Sequence, residues 1–302
     1  MTHTPAVSII VPALNEAAGL SALLPELCQR FPEAEIIVVD DGSTDGTPRV
    51  AGDQGGRVRV ISHPYRLGNG AAVKAGARAA RGEVLVFLDG DGQHDPADIP
   101  ALLARLDEGY SMAVGARRPT SHASPWRRLA NAAFNRLASL LTGFHIQDLT
   151  SGFRAVRSRP FRNFLYLLPN GFSYPTTITM AFLRSGYPVA YVPVVARQRQ
   201  GSSNIRIFQD GLRFFIIILK IGALFSPMRF FLPISLFLFT LGCGYYIYTF
   251  WNYGRFTNMS ALLFMSALLT FLIGIISEQI SSLHYRNSEE RRRISDDHPR
   301  PD

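Results

Sequence analysis

The chain has 302 residues, 47% of them hydrophobic, enough for one domain of roughly 200 residues plus an appendage. Its formal net charge of +8 comes almost wholly from arginine, with lysine only at Lys74 and Lys220. Arginine forks onto phosphates and stays charged, so the excess suits a phosphorylated substrate, an anionic membrane or nucleic acid, besides the plain reading of a GC-rich genome. Cys28 and Cys243 lack metal or redox spacing, which counts against a disulfide scaffold and makes both reduced packing residues.

The first apolar run, Val7–Val11, is too short for a signal peptide, and no basic leader is expected. Leu20, Leu23, Leu24 and Leu27 then repeat at helical spacing. Ile36–Val39 is a second buried run, and Arg57–Ile61 alternates like a strand. Ala71–Ala80 reads as a helix, Val84–Leu88 as another buried run, and Ile99, Leu102, Leu103 and Leu106 as an amphipathic helix. Met112–Val114 closes the series. Short apolar runs alternating with helices predict a mostly parallel α/β sheet covered on both faces. Ligands in such sheets bind beyond the carboxyl ends of the strands. Those ends read Pro12-Ala13-Leu14-Asn15-Glu16, Asp40-Asp41-Gly42-Ser43 and Asp89-Gly90-Asp91.

The C-terminal third changes character. Phe230–Phe250 and Met259–Ser277 are uncharged and long enough to span a bilayer as helices, although two buried core helices would read alike. Tyr245, Tyr246, Tyr248, Trp251 and Tyr253 crowd one end like an interfacial aromatic belt. Arg206, Arg213, Lys220 and Arg229 precede the first run, and Arg286, Arg291, Arg292 and Arg293 follow the second. The positive-inside rule then puts both flanks and both termini in the cytoplasm, with a multi-pass anchor in the inner membrane. Within Ile207–Phe225, Asp210, Arg213 and Lys220 share one helical face opposite Phe, Leu and Ile, the pattern of a helix lying in the interface rather than a third span. The expected boundaries are a catalytic domain at 1–205, an interfacial helix at 206–228, a hairpin at 229–281 (spans near 230–250 and 259–279) and a disordered basic tail at 282–302.

Two carboxylates one residue apart, as in Asp89-Gly90-Asp91, can grip a divalent cation that also holds a diphosphate, though such a triplet alone can be just a turn. An EF-hand would need Glu where Pro100 stands. Asp40 and Asp41 can accept the N–H edge of a base or a ribose hydroxyl, while Ser43 or Asp45 could cap a helix. Gly68-Asn69-Gly70 opens a helix but lacks the third glycine of a dinucleotide loop and follows the third strand, which excludes a Rossmann dehydrogenase; tight packing accounts for these glycines. Arg117, Arg118, Arg127 and Arg128 form one basic cluster and Arg197, Arg199 and Arg206 another, either solvated surface or phosphate sites near a membrane. The histidines show no metal spacing, and His94 reads as a loop residue.

Six stretches in order carry a resemblance: Val11-Pro12-Ala13-Leu14-Asn15-Glu16, Val38 to Thr47, Gly68 to Ala72, Asp89-Gly90-Asp91-Gly92-Gln93-His94, Asp148-Leu149-Thr150-Ser151-Gly152-Phe153-Arg154 and Arg199 to Ser203. The sequence resembles the inverting family-2 glycosyltransferases of GT-A fold, in the dolichyl-phosphate mannose synthase and undecaprenyl-phosphate glycosyltransferase branch. The resemblance implies that Pro12, Leu14, Glu16, Val39, Asp40 and Asp41 hold the nucleoside. Asp89, Asp91 and Gln93, with Gly90 between, would hold Mg²⁺ or Mn²⁺ and the donor diphosphate. Arg117 and Arg128 would grip the acceptor phosphate, Arg199 would bind phosphate on closure, and Asp148 and Ser151 would shape the sugar and acceptor pocket. Asn204 stands where the family often has lysine, a contact Arg206 could supply. Gly90 replaces the commoner alanine, which should be harmless.

The implied partners are a nucleotide-sugar donor, a polyprenyl-phosphate lipid and the membrane, not nucleic acid; a homo-oligomer is left open. The alternatives are transfer to a polysaccharide or glycolipid, or a non-catalytic nucleotide-binding module. A processive synthase would carry Gln-x-x-Arg-Trp, and neither Trp126 nor Trp251 fits it.

Overall fold

The computed structural model describes residues 6–117, 125–171, 173–195 and 227–297. The chain divides into two compact units, Met1–Ser139 with Phe144–Phe215, and Leu140–Gly143 with Ile216–Asp302.

The first unit is built on a seven-stranded sheet in the order β3-β2-β1-β4-β6-β5-β7. The strands are β1 (Val7–Ala13), β2 (Glu35–Asp40), β3 (Val58–Ser62), β4 (Val84–Phe87), β5 (Met112–Arg117), β6 (Arg154–Arg157) and β7 (Val189–Val194). All neighbours are parallel except β6, which runs antiparallel to both β4 and β5. The predicted mostly parallel α/β architecture is therefore present. β6 and β7 went unpredicted: β6 is only four residues long and begins and ends on arginine, and β7 carries Pro193.

Both faces are covered, because the central strands are apolar at successive positions rather than alternating. One face packs Ile9, Val11, Ile36, Val38 and Val86 against α1 (Ala17–Arg30), α2 (Thr47–Gly52) and α4 (Ile99–Asp107). Cys28 lies half-buried against this layer as a free thiol. On the other face α3 (Asn69–Ala79) presses Gly76 onto Ile10 and Val39, while Phe87 meets Phe161 of α6 (Ser158–Asn163) and Tyr174 of α7 (Tyr174–Arg184). Helix α5 (Pro125–Thr142) links β5 to the segment before β6. The glycines at the start of α3 fit the packing explanation, since a Cβ at Gly68 or Gly70 would run into the backbone at 169–171. Gly68 also has a φ of +108°, which favours glycine.

The second unit contains α8 (Pro227–Tyr253) and α9 (Asn258–Asp297), joined by a short turn. Both are long and apolar enough to cross a membrane, α9 over Asn258–Leu283. Their large side chains face outward: Leu236, Phe237, Ile247, Leu268, Leu269 and Ile276 are all exposed. Helices hidden in a soluble core would bury such residues, so the core-helix alternative fails and a lipid-facing hairpin remains. Small residues let the helices approach, with Gly242 against Leu263 and Phe264, Gly274 against Phe231, and Ser235 Oγ donating to the Ala267 carbonyl at 2.8 Å. Helix α9 continues to Asp297, where the sequence reading placed a disordered tail from residue 282; no glycine or proline interrupts 275–297, so the helix has no stop signal before Pro299. The expected interfacial helix at 206–228 lies outside the described residues, apart from its last two positions.

Candidate active site

The chain leaves β1 toward β2 and β3 on one side, then returns to place β4 on the other. The carboxyl ends of β1 and β4 thus flank a topological switch point, where α/β sheets open a crevice. Pro12 lies near the end of β1 with Leu14 and Glu16 just after it, Asp89 to Gln93 follow β4, and Val39 and Asp40 end β2 one strand over, with Asp41 next.

The β1 and β2 ends of the crevice form a laced pair of loops. Asn15, at φ +56°, receives the Thr44 N–H on its side-chain oxygen at 2.9 Å and donates its own N–H to Ser43 Oγ at 2.9 Å. Glu16 N–H donates to Thr47 Oγ1 at 2.9 Å, and Asp45, one position before the N-cap Gly46, accepts from the first N–H of α2, Thr47 N, at 2.9 Å. Asp40 accepts from Ser43 N–H at 3.1 Å. Asp41 is tied to the neighbouring loop: Leu67 N–H and Gly68 N–H donate to its two oxygens at 2.9 and 2.7 Å, and His63 Nδ1 pairs with it at 2.8 Å. It clamps the 63–68 loop beside Asp40.

The acidic loop is tight. Gln93 N–H donates to Asp91 Oδ1 at 3.1 Å, and Gly92 turns the chain at φ +69°. A Cβ on Gly19 would collide with the Gly90 carbonyl, so α1 begins directly against this loop. Asp89 rests on the backbone of Gly152, where an added Cβ would stand 2.8 Å from Asp89 Oδ2. Among the described residues no third His, Cys, Asp or Glu joins the two carboxylates. Two carboxylates and the Gln93 amide are hard oxygen donors that suit Mg²⁺ or Mn²⁺, whose remaining ligands normally come from water and phosphate.

Arg117 ends β5 and closes on Asp148. Its Nε donates to Asp148 Oδ2 at 2.9 Å and its Nη2 to Asp148 Oδ1 at 3.1 Å and Thr150 Oγ1 at 2.6 Å. Asp148 Oδ1 also accepts from the N–H groups of Thr150 and Ser151, at 3.0 and 3.1 Å. Burial opposes both charges, but the mutual bond and attraction outweigh it, so Asp148 is held below the usual carboxylate range and Arg117 above its own. Asp89 and Asp91 add to the field that holds Arg117 charged, which ties the acidic loop and this ion pair into one site.

His94 is a loop residue, as its reading has it, and the loop carries it into this site. It is 5% exposed, stacks on Phe153 at 4.9 Å between ring centroids, and its Nδ1 has no partner among the described residues. Burial, with a contribution from Arg117, lowers its pKa to about 4 against the pull of Asp91 and Asp148, so the imidazole is neutral. The sequence held one usable signal, the position directly after Gln93. Arg154 was also passed over as part of a motif, yet its side chain is wholly buried behind Ser151 and Gly152. Ser151 is buried with its hydroxyl unpartnered among the described residues. Arg128 lies on α5, and Arg199 and Arg206 fall outside the described residues.

The sequence model of Glycosyl transferase family 2 matches residues 8–165, and that of the GtrB C-terminal hairpin matches residues 226–283. Polyprenol monophosphomannose synthase of Mycolicibacterium smegmatis is 32% identical over 217 residues, covering 66% of this chain and 82% of that protein. Glycosyltransferase AglJ of Haloferax volcanii is 28% identical over 307 residues, covering 96% and 98%. Undecaprenyl-phosphate mannosyltransferase of Micrococcus luteus is 31% identical over 208 residues, covering 64% and 84%. Among solved structures, glucosyl-3-phosphoglycerate synthase from Mycobacterium tuberculosis, in complex with Mn²⁺ and UDP-glucose, shares the fold with a TM-score of 0.58 at 23% identity, covering 72% of this chain and 79% of that one. The chain therefore belongs to glycosyl transferase family 2, as a membrane-anchored glycosyltransferase with a GT-A domain and a GtrB-type C-terminal hairpin.

Proposed function

We propose that the protein moves a hexose from a nucleotide-sugar donor, of GDP-mannose or UDP-glucose type, to the phosphate of a polyprenyl-phosphate lipid at the cytoplasmic membrane face, with inversion. The observation that carries this reading is the fixed Arg117–Asp148 pair coupled to the Asp89–Asp91 loop. The two relatives named for polyprenol and undecaprenyl-phosphate mannosyl transfer, and the apolar hairpin, support the lipid acceptor.

The chemistry is a single in-line displacement. A lipid phosphate oxygen forms a bond to the anomeric carbon as the bond from that carbon to the nucleoside diphosphate breaks, and the diphosphate leaves with the electron pair. A phosphate monoester with a second pKa of about 6 is largely ionised at neutral pH and needs no general base. Asp148 accordingly has no base work to do: its oxygens already accept from Arg117, Thr150 and Ser151. It orients Arg117 by Nε and Nη2, which among the described residues leaves Nη1 for a phosphate oxygen. Asp89, Asp91 and Gln93 would hold Mg²⁺ or Mn²⁺, which when bound neutralises charge developing on the leaving diphosphate. Pro12, Leu14, Glu16, Val39 and Asp40 line the nucleoside end, with Asp41 shaping the loop beside it. Arg128, Arg199 and Arg206 remain proposed phosphate contacts.

The test is a donor screen. Detergent-solubilised protein is incubated with undecaprenyl phosphate and GDP-mannose or UDP-glucose, and lipid extracts are read by mass spectrometry. A polyprenyl phosphohexose from one donor is expected, and transfer only to sugar or glycolipid acceptors would refute the assignment.

A further inference from the structure

Arg154 occupies an unusual position for an arginine. It starts β6, the antiparallel strand in the middle of the sheet, and is 0% exposed. Its Nη2 donates to the Ser151 carbonyl, and its Nη1 to the Pro175 carbonyl at 3.3 Å and Thr179 Oγ1 at 3.2 Å. Its Nε has no partner among the described residues. The guanidinium lies over the Tyr174 ring, 5.7 Å from the centroid. None of these bonded partners is a carboxylate. A buried cation without a directly paired anion is costly to hold in the fold.

What it touches leads to the acidic loop. Arg154 holds the Ser151 carbonyl, and the Tyr174 hydroxyl donates to the next one, Gly152, at 3.1 Å. From the other side, the Ser151 N–H is tied to Asp148 at 3.1 Å. Gly152 is thus pinned on both sides, and the Asp89 carboxylate lies close against it, where a Cβ would stand 2.8 Å from Oδ2. The next residue, Phe153, stacks on His94 at 4.9 Å, which fixes the far end of the acidic loop. Asp89 and Asp148 are also the carboxylates whose field reaches the guanidinium.

We propose that Arg154, with Tyr174, is a positioning residue that sets Asp89 for a divalent cation by fixing, through the Ser151 and Gly152 carbonyls, the backbone against which Asp89 lies. Outer groups that orient ligands typically change metal affinity by about 10- to 100-fold when removed. The proposal rests on the reading of Asp89 and Asp91 as cation ligands, and the experiment separates the two. Mn²⁺ is titrated by electron paramagnetic resonance into the full chain in detergent, with saturating UDP or, separately, GDP. The variants are Arg154→Met, Arg154→Lys, Tyr174→Phe and Asp89→Ala/Asp91→Ala, with thermal unfolding reporting the folded fraction.

The expected result is an Mn²⁺ dissociation constant raised about 10- to 100-fold in Arg154→Met, partly restored in Arg154→Lys, and raised by less in Tyr174→Phe. If Arg154→Met does not fold, Tyr174→Phe decides, since it keeps the ring and deletes one hydrogen bond. Folded Arg154→Met and Tyr174→Phe that bind Mn²⁺ like the wild type overturn the role of Arg154 and leave the cation reading standing. Absence of Mn²⁺ binding by the wild type, or equal binding by the double aspartate variant, overturns the cation reading and this proposal with it.

Discussion

Gly152→Ala is a one-methyl perturbation aimed at the acidic loop. The new Cβ would stand 2.8 Å from Asp89 Oδ2 and 3.3 Å from both its Cγ and Oδ1. Ordinary van der Waals contact for a Cβ begins near 3.4 Å, so the carboxylate must withdraw by about 0.6 Å. Site geometry is held to within about 0.5 Å, and a 1 Å displacement can cost about 10²-fold. The expected loss in kcat/KM is therefore about 10- to 100-fold, or ~1.4–2.7 kcal/mol in the transition state, with a higher Mn²⁺ requirement. Gly152 does not have a positive φ, so alanine fits the backbone and the thermal midpoint should barely move. Gly90→Ala is the control: its closest contact is the flexible end of Leu20 at 3.2 Å, and activity should stay near wild type. The assay is initial-rate transfer of labelled hexose to undecaprenyl phosphate across a Mn²⁺ series. Gly152→Ala with unchanged kcat/KM and metal half-saturation would show that Asp89's position is irrelevant to the chemistry.

Other perturbations test neighbouring parts. Asp41→Ala removes the acceptor of Leu67 N–H, Gly68 N–H and the His63 ring, and should cost about 2–4 kcal/mol in unfolding free energy while raising the donor KM. His94 has a folded-state pKa of about 4 against 6.5 in the free side chain, so the unfolded chain binds more protons between those values. In EDTA, stability should be full above pH 6.5 and fall by on the order of 3 kcal/mol as pH drops toward 4, and His94→Leu should flatten that slope in denaturant titrations. In the hairpin, Gly274→Leu would meet Phe231 Cβ at 2.9 Å and should destabilise the micelle-solubilised protein by about 1–3 kcal/mol. Gly244→Ala, with nothing within 4 Å, should be neutral by the same thermal assay.

The parts legible in sequence were those whose physics is local. Buried runs such as Ile36–Val39 announce parallel strands, acidic and glycine turns after them mark the rim, and two uncharged runs of bilayer length announce the hairpin. The remainder depended on tertiary placement. β6 begins on Arg154, a residue that reads as surface until the carbonyls of Ser151 and Pro175 are brought to it. Asp41 looks identical to Asp40 in sequence, and only the return of the 63–68 loop shows that it serves the backbone. His94 could be judged neutral and buried only once Phe153 lay against it. Asp148 and Arg117, 31 residues apart, gave no spacing signal for their ion pair; only the family resemblance placed both in the site.

The central claim is that the Asp89–Asp91 carboxylates support sugar transfer to lipid phosphate. The measurement closest to it is product formation by Asp89→Ala/Asp91→Ala, purified beside wild type and assayed with the active donor and undecaprenyl phosphate. Loss of the polyprenyl phosphohexose with an unchanged thermal midpoint is the predicted result; undiminished product would contradict the account.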